Sequence, residues 1–299
     1  MLRAAVLSLV GTACVLSGSV MASSTVITTV APQSSLDASY PYFTELLEQI
    51  LQVTAPSHGP YELHFADIAM TQARALREVA QGNIIQVYWA GTNSDRERDL
   101  QAIPIPLLKG LLGYRIPVIR TADVGKWAEI QNVEDLQSLV ACQGDSWPDS
   151  DILEAAGLPV ERISSFAVMY TMLAGRRCDY FPRGIHEVFP ELAEARLERP
   201  ELVAFTDLII YYPFPMYFFV PLDRADLAQR LTSGLELLIE SGWFEYNLRQ
   251  HPTLQDVHAM RGWSNAHIIE LPNDFLSDTI NINDAKYWIT PEQFRSGTW

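Results

Sequence analysis

The 299-residue chain has little that can be oxidised or bind metal: three cysteines, Cys14, Cys142 and Cys178, and six scattered histidines. No CxxC pair occurs and no histidine stands at ligand spacing from a cysteine, which argues against a zinc site. Basic residues are scarce as well. Lys and Arg total 21 against 36 Asp and Glu, for a formal charge of −15, and a nucleic-acid binder needs a basic face. The acidic residues form no tail-like run, so they read as a solvated surface. The catalytic signatures are missing too: no G-x-S-x-G, no GxGxxG after a strand, no Walker loop and no HExxH. The reading is of a protein that is not an enzyme and uses no cofactor. Beyond the first residues no apolar run is long enough to span a bilayer.

What is present begins at the N-terminus. Met1-Leu2-Arg3 is a short positive start, Ala4 to Val15 is apolar, and Val20-Met21-Ala22 fits small-x-small cleavage before Ser23. Residues 1–22 are therefore expected to be a signal peptide, and the mature chain periplasmic. A lipoprotein built on Cys14 is disfavoured because Gly11-Thr12-Ala13 lacks the leucine-like residue such a site needs. Cys142 and Cys178 remain, either as a disulfide in an oxidising compartment or as two small buried hydrophobes.

From Thr25 the chain alternates strand-like and helix-like stretches. Strands are expected at 25–30, 61–65, 83–90, 140–143, 160–163, 178–181 and 217–220 from their β-branched and aromatic runs. Helices are expected at 43–51, 71–80, 133–139, 148–156, 166–173 and 227–240, with Gly82, Gly157, Gly175 and Gly242 as stops. This density of alternation means an α/β fold, with ligand expected at the carboxyl ends of the strands.

Over nearly all of the mature chain the order of elements resembles the type II periplasmic solute-binding proteins of the amino-acid-binding family, solute-binding protein family 3. The carriers are Arg74 and Gly82, the strand NIIQVYWAGT, the turn Thr92-Asn93-Ser94-Asp95-Arg96-Glu97-Arg98, Pro106, and KGLLGYRIPVI from Lys109 to Ile119. Further along stand ACQGDSWPDSDILEAAG (Ala141 to Gly157), GRRCDYFPRG (Gly175 to Gly184) and YYPFPMYFFVP (Tyr211 to Pro221). The resemblance implies two lobes, each a mostly parallel sheet flanked by helices, with two crossing strands as hinge. Lobe one would hold 23–118 and, with the C-terminal helices and tail, 212–299; lobe two would hold 119–211.

The same resemblance places Arg96, in preference to Arg98, at the ligand clamp. It gathers Arg96, Lys109, Arg115 and Trp89 from lobe one and Trp147, Asp149, Asp179 and Arg183 from lobe two as candidate cleft residues. Trp89 and Trp147 read equally well as core, Arg98 and Asp99 as a solvated turn, and Asp179 as half of a structural ion pair. The turn Gly144-Asp145-Ser146-Trp147 departs from the family's Gly-Ser/Thr-Thr, and Asp145 would oppose an anion there. Four basic candidates on an acidic body suggest a small polar, carboxylate-bearing solute, captured by a monomer for an ABC-type permease. The alternatives are a sensory module reporting to a membrane receptor and a lyase-like enzyme on the same fold.

Overall fold

Each helix that positions the cleft is set by local chemistry. The Thr71 side chain accepts from the Arg74 N–H and opens a helix, as Asn93 does for Arg96 and Asn132 for Asp135. The apolar spacing Phe43, Leu46, Leu47, Ile50 and Leu51 is fully buried on one face of another. In the computed structural model, residues 24–32, 37, 39–259, 263, 265–278 and 280–297 are described. The expected signal peptide, residues 1–22, lies outside them.

In chain order the elements begin β1 (Thr25–Thr29), α1 (Tyr40–His58), β2 (Tyr61–Phe65), α2 (Gln72–Gln81), β3 (Tyr88–Gly91), α3 (Ser94–Asp99), β4 (Gln101–Ile103) and β5 (Tyr114–Arg120). Then come α4 (Val124–Trp127), α5 (Val133–Leu136), β6 (Ala141–Gly144), α6 (Pro148–Ala155), β7 (Val160–Ile163), α7 (Met169–Ala174), β8 (Phe181–Gly184), α8 (Val188–Ala195), β9 (Leu202–Ala204) and β10 (Leu208–Tyr211). The chain finishes with β11 (Met216–Val220), α9 (Ala225–Glu240), α10 (Trp243–Gln250), α11 (Gln255–Ala259), β12 (His267–Glu270) and α12 (Pro291–Ser296).

The α/β class is as expected, but the sheets are mixed, not mostly parallel. β1 with β2 and β6 with β7 are parallel pairs, whereas β11 lies antiparallel between β3 and β4. β5 is antiparallel to β8, β9 and β10, and β12 joins β10 in parallel. The cause is the two long crossing strands. Each returns against a strand that runs the other way, so the sheets at the middle of the molecule cannot be parallel throughout.

Three elements also moved. The run 83–90 forms a strand only from Tyr88, because Gln86 spends its side chain and amide on the Thr28 backbone. The strand expected at 178–181 begins at Phe181, since Cys178 is disulfide-bonded to Cys142 with 5.5 Å between the Cα atoms and its carbonyl accepts from Arg120. The helix expected at 133–139 closes after Leu136. Among the described residues no helix is long and apolar enough to cross a membrane.

Candidate functional site

The edges of β3, β5 and β8 and the starts of α6 and α8 converge on a cavity of about 90 Å³, room for roughly six water-sized groups at the ~15 Å³ that one water needs. Its floor is a chain of buried charges. Arg115, on β5, pairs with Oδ1 of Asp149 in the first turn of α6 and lies 3.6 Å from Glu187 Oε2. Arg183, on β8, reaches Glu187 Oε1 at 3.0 Å and grips Glu191 with two bonds of 2.7 Å. The order is therefore Asp149, Arg115, Glu187, Arg183, Glu191, with carboxylates at both ends. Arg115, Asp149, Arg183 and Glu191 are each 5% exposed or less.

Burial of this kind is tolerable only with the remaining lone pairs satisfied. The Tyr212 hydroxyl donates to Asp149 Oδ1 at 2.5 Å, the Tyr170 hydroxyl to Glu191 Oε2 at 2.8 Å, and the Gly184 amide to Glu187 Oε2 at 3.0 Å. Aromatic faces cover the guanidiniums. Arg183 Cζ lies 5.2 Å from the Trp147 ring centroid and 4.9 Å from that of Phe181, and Arg115 Cζ 5.4 Å from that of Phe214. Two glycines admit these rings: a Cβ at Gly144 would collide with Trp147 and one at Gly91 with Phe214.

The charges shift one another's protonation. Burial alone would raise the Glu187 carboxyl, but Arg183, His186 and Arg115 outweigh it and hold it at about 2. For Glu191 burial wins over Arg183 and pushes the carboxyl up to about 7. Burial, opposed by Glu187 and reinforced by Arg115 and Arg183, takes His186 down to about 4. The ring is fully enclosed and neither nitrogen has a hydrogen-bond partner among the described residues.

Of the eight candidates read from the sequence, Trp89, Arg115, Trp147, Asp149 and Arg183 line the cavity. Trp89 serves both readings: it is nearly buried, stacks on Phe43 and Tyr88, and still borders the cavity. Arg96 stands beside that wall. Its guanidinium donates to the Gly91 carbonyl, to Gln72 Oε1 at 2.6 Å and to the Ser146 carbonyl at 2.9 Å, so it spans two distant segments. Burial lowers it to about 10. Arg98 is exposed and paired with Asp95 and Asp99.

Lys109 and Asp179 are placed elsewhere. Lys109 Nζ meets Glu245 of α10 at 3.3 Å. Asp179 accepts the Val140 N–H at 2.9 Å and faces Arg120 at 3.5 Å, which is a structural role and leaves Arg183 to other partners. Sequence reading missed Glu187 and Glu191. Part of the signal was there: Glu187 and Glu191 stand four residues apart at the start of α8, the spacing that puts side chains on one helix face, four residues beyond Arg183 on β8. Among the described residues no cluster of His, Cys, Asp and Glu is arranged to hold a metal.

No family model and no curated protein matches the chain. Solved structures do. An arginine-specific periplasmic binding protein of Salmonella typhimurium superposes with a TM-score of 0.56 at 11% identity, over 78% of this chain and 99% of that one. A structure described with glutathione import in Streptococcus mutans gives 0.55 at 11%, over 82% and 97%. A histidine kinase sensor domain similar to periplasmic binding proteins gives 0.54 at 17%, over 74% and 93%. The chain thus has the two-lobed α/β fold of the periplasmic amino-acid-binding proteins, and the buried charge chain lies in the cavity of that fold.

Proposed function

We propose that this protein is an exported solute-binding protein that captures a small polar solute between its lobes and presents it, as a monomer, to an ABC-type transporter. The observation that carries the reading is the cavity itself. Five candidate residues from distant segments line it, and buried charge with aromatic walls is what orients a small polar ligand. Lobe boundaries at 118 and 211 fit the reading, because β5 and β11 then lead into and out of the crossings. Arg96 is the group offered to a carboxylate on the solute: its guanidinium donates to the neutral oxygens of Gly91, Gln72 and Ser146, and among the described residues no acid forms an ion pair with it. A thermal-shift screen against amino acids, organic acids, polyamines and sugars tests the reading. A saturable rise in melting temperature with one class supports it, and none with any class defeats it.

A sensory role is the second reading, favoured by the similarity to a histidine kinase sensor domain. The cleft is the same in both. Capture of membrane partners on the immobilised protein separates them, since a permease supports transport and a kinase supports sensing.

A further inference from the structure

We propose that the C-terminal segment, residues 263–297, is a strap that crosses the hinge beside β5 and β10 and holds the lobes near the arrangement in which Arg96 reaches Ser146. The inference rests on the two-lobe part of the proposed function and adds a device outside the cleft. None of the segment's described residues lines the cavity. The Salmonella typhimurium structure is matched over 99% of its length yet covers 78% of this chain. This chain therefore carries residues, more than the expected signal peptide holds, that have no counterpart there.

The strap is built into the hinge. β12 pairs in parallel with β10, from Leu208 opposite His267 to Tyr211 opposite Glu270, at the edge of the sheet remote from β8. The ladder continues past both ends, with the His267 amide donating to the Asp207 carbonyl at 2.8 Å and the Leu271 amide to that of Tyr211 at 2.7 Å. Farther on, Thr290 caps α12, and that helix sets Phe294 against Tyr114, the first residue of β5, with ring centroids 4.1 Å apart. The Tyr114 hydroxyl donates to the Ile289 carbonyl at 3.1 Å.

The same segment is tied to both lobes. Toward lobe two, His267 Nε2 lies 2.6 Å from the Gln131 carbonyl, and the Trp263 ring lies 6.4 Å from that of Phe189 on α8. Toward lobe one, the Phe275 carbonyl accepts the Ser94 amide at 2.9 Å, at the start of the helix that carries Arg96. Lys286 and Tyr287 both bind Glu236 of α9, and the Ile289 amide donates to the Lys109 carbonyl at 2.9 Å. Trp288 lies over the turn into β5, where Lys109 and Gly110 have φ of 49° and 80°, and a Cβ at Gly110 would collide with its ring. Trp263, Trp288, Ile289 and Phe294 are each 4% exposed or less. Opening the lobes would have to break these bonds or bare this apolar surface, so the strap resists hinge motion.

The test measures lobe separation without ligand, which keeps its failure distinct from that of the solute-binding reading. Spin labels at Leu197→Cys in lobe two and Leu222→Cys in lobe one, both exposed positions, report the distance in the mature protein by pulsed electron resonance. The strapped protein should give one narrow distribution. Trp288→Ala with Phe294→Ala, or a chain ended after Asp278, should broaden it and shift it to longer separations. The original distribution in a variant that still melts cooperatively overturns the proposal, as does a broad distribution with the strap intact. Hydrogen exchange on the unsubstituted protein gives a second readout that no folding defect obscures. The His267, Leu271 and Ile289 amides should exchange about a hundredfold or more slowly than in an unstructured chain, and exchange at unstructured rates overturns the strap. A thermal-shift screen with no hit defeats the solute-binding reading and leaves these measurements standing.

Discussion

Arg115 and Asp149 form an ion pair in which the side chains are 2% and 7% exposed, and it ties strand β5 to the first turn of α6. The two residues are 34 positions apart in sequence, and Tyr212, from a third segment, closes the contact. Pairs this deeply buried gain little net stability over apolar replacements, yet they punish the loss of one partner.

Asp149→Ala should therefore cost about 3–5 kcal/mol in chemical unfolding, because the Arg115 charge is left buried without its carboxylate. Replacing both residues, as Arg115→Met with Asp149→Leu, should recover most of that loss. A double variant no more stable than Asp149→Ala would show that the pair itself, and not the uncompensated charge, sets the cost.

Arg96→Lys keeps the charge but cannot reach the Gly91, Gln72 and Ser146 oxygens together. Affinity for any carboxylate-bearing hit should fall at least about thirtyfold, comparable to Arg96→Ala, which corresponds to the lower end of the ~2–5 kcal/mol for a lost buried charge contact. Titration calorimetry on the three proteins measures it. Equal affinities would reduce Arg96 to a structural brace.

Acid should destabilise the fold in one steep stage, after two opposing titrations have cancelled. His186, held at about 4 by burial against an ordinary 6.5, contributes stability that is complete above pH 6.5 and is lost as pH falls toward 4. Glu191, raised to about 7 by burial, works in the opposite sense: it favours the fold below pH 4.5 and opposes it as pH rises to 7. Wild-type melting temperature should thus stay nearly level from pH 6.5 to 4.5. Below 4.5 it should drop steeply, as Glu187, held at about 2, adds its own loss. Glu191→Gln removes the opposing contribution, so its stability should decline from pH 6.5 downward by about 1 kcal/mol per pH unit. A level profile in that variant would dismiss the assignment.

The Cys142–Cys178 disulfide closes a loop with a sequence separation of 36. Chain-entropy arguments put its contribution at about 3–4 kcal/mol. Cys142→Ala with Cys178→Ala should lower stability by that order, and denatured, unreduced wild-type protein should show no free thiol from this pair in a thiol assay.

Export predicts that protein recovered from the periplasm begins at Ser23. Mass spectrometry of the intact chain reads this directly, and unprocessed protein confined to the cytoplasm would contradict the exported reading.

Much of the architecture was legible because it is governed by neighbours in sequence. Periodicity marks the buried stripe of α1, Gly82 stops α2 and Asn132 opens α5, whereas α3 lies where a turn was expected. The order of these elements was enough to suggest the binding-protein fold and to bring five of eight candidates to one cavity. Lys109 and Asp179 resisted such reading, since a charged side chain goes to whichever partner packing leaves within reach. For them that was Glu245, 136 residues away, and the Val140 amide with Arg120. Glu187 shows the limit from the other side. Its spacing from Arg183 and Glu191 is local, and Arg183 does most to lower its pKa, but its part in the charge chain depends on Arg115, brought alongside by antiparallel pairing of β5 with β8. Sequence alone determined the alternation of elements and the supply of charge. Tertiary structure decided which charges neutralise each other, because attraction between buried groups depends on distance and on the exclusion of water, and neither exists until the chain has folded.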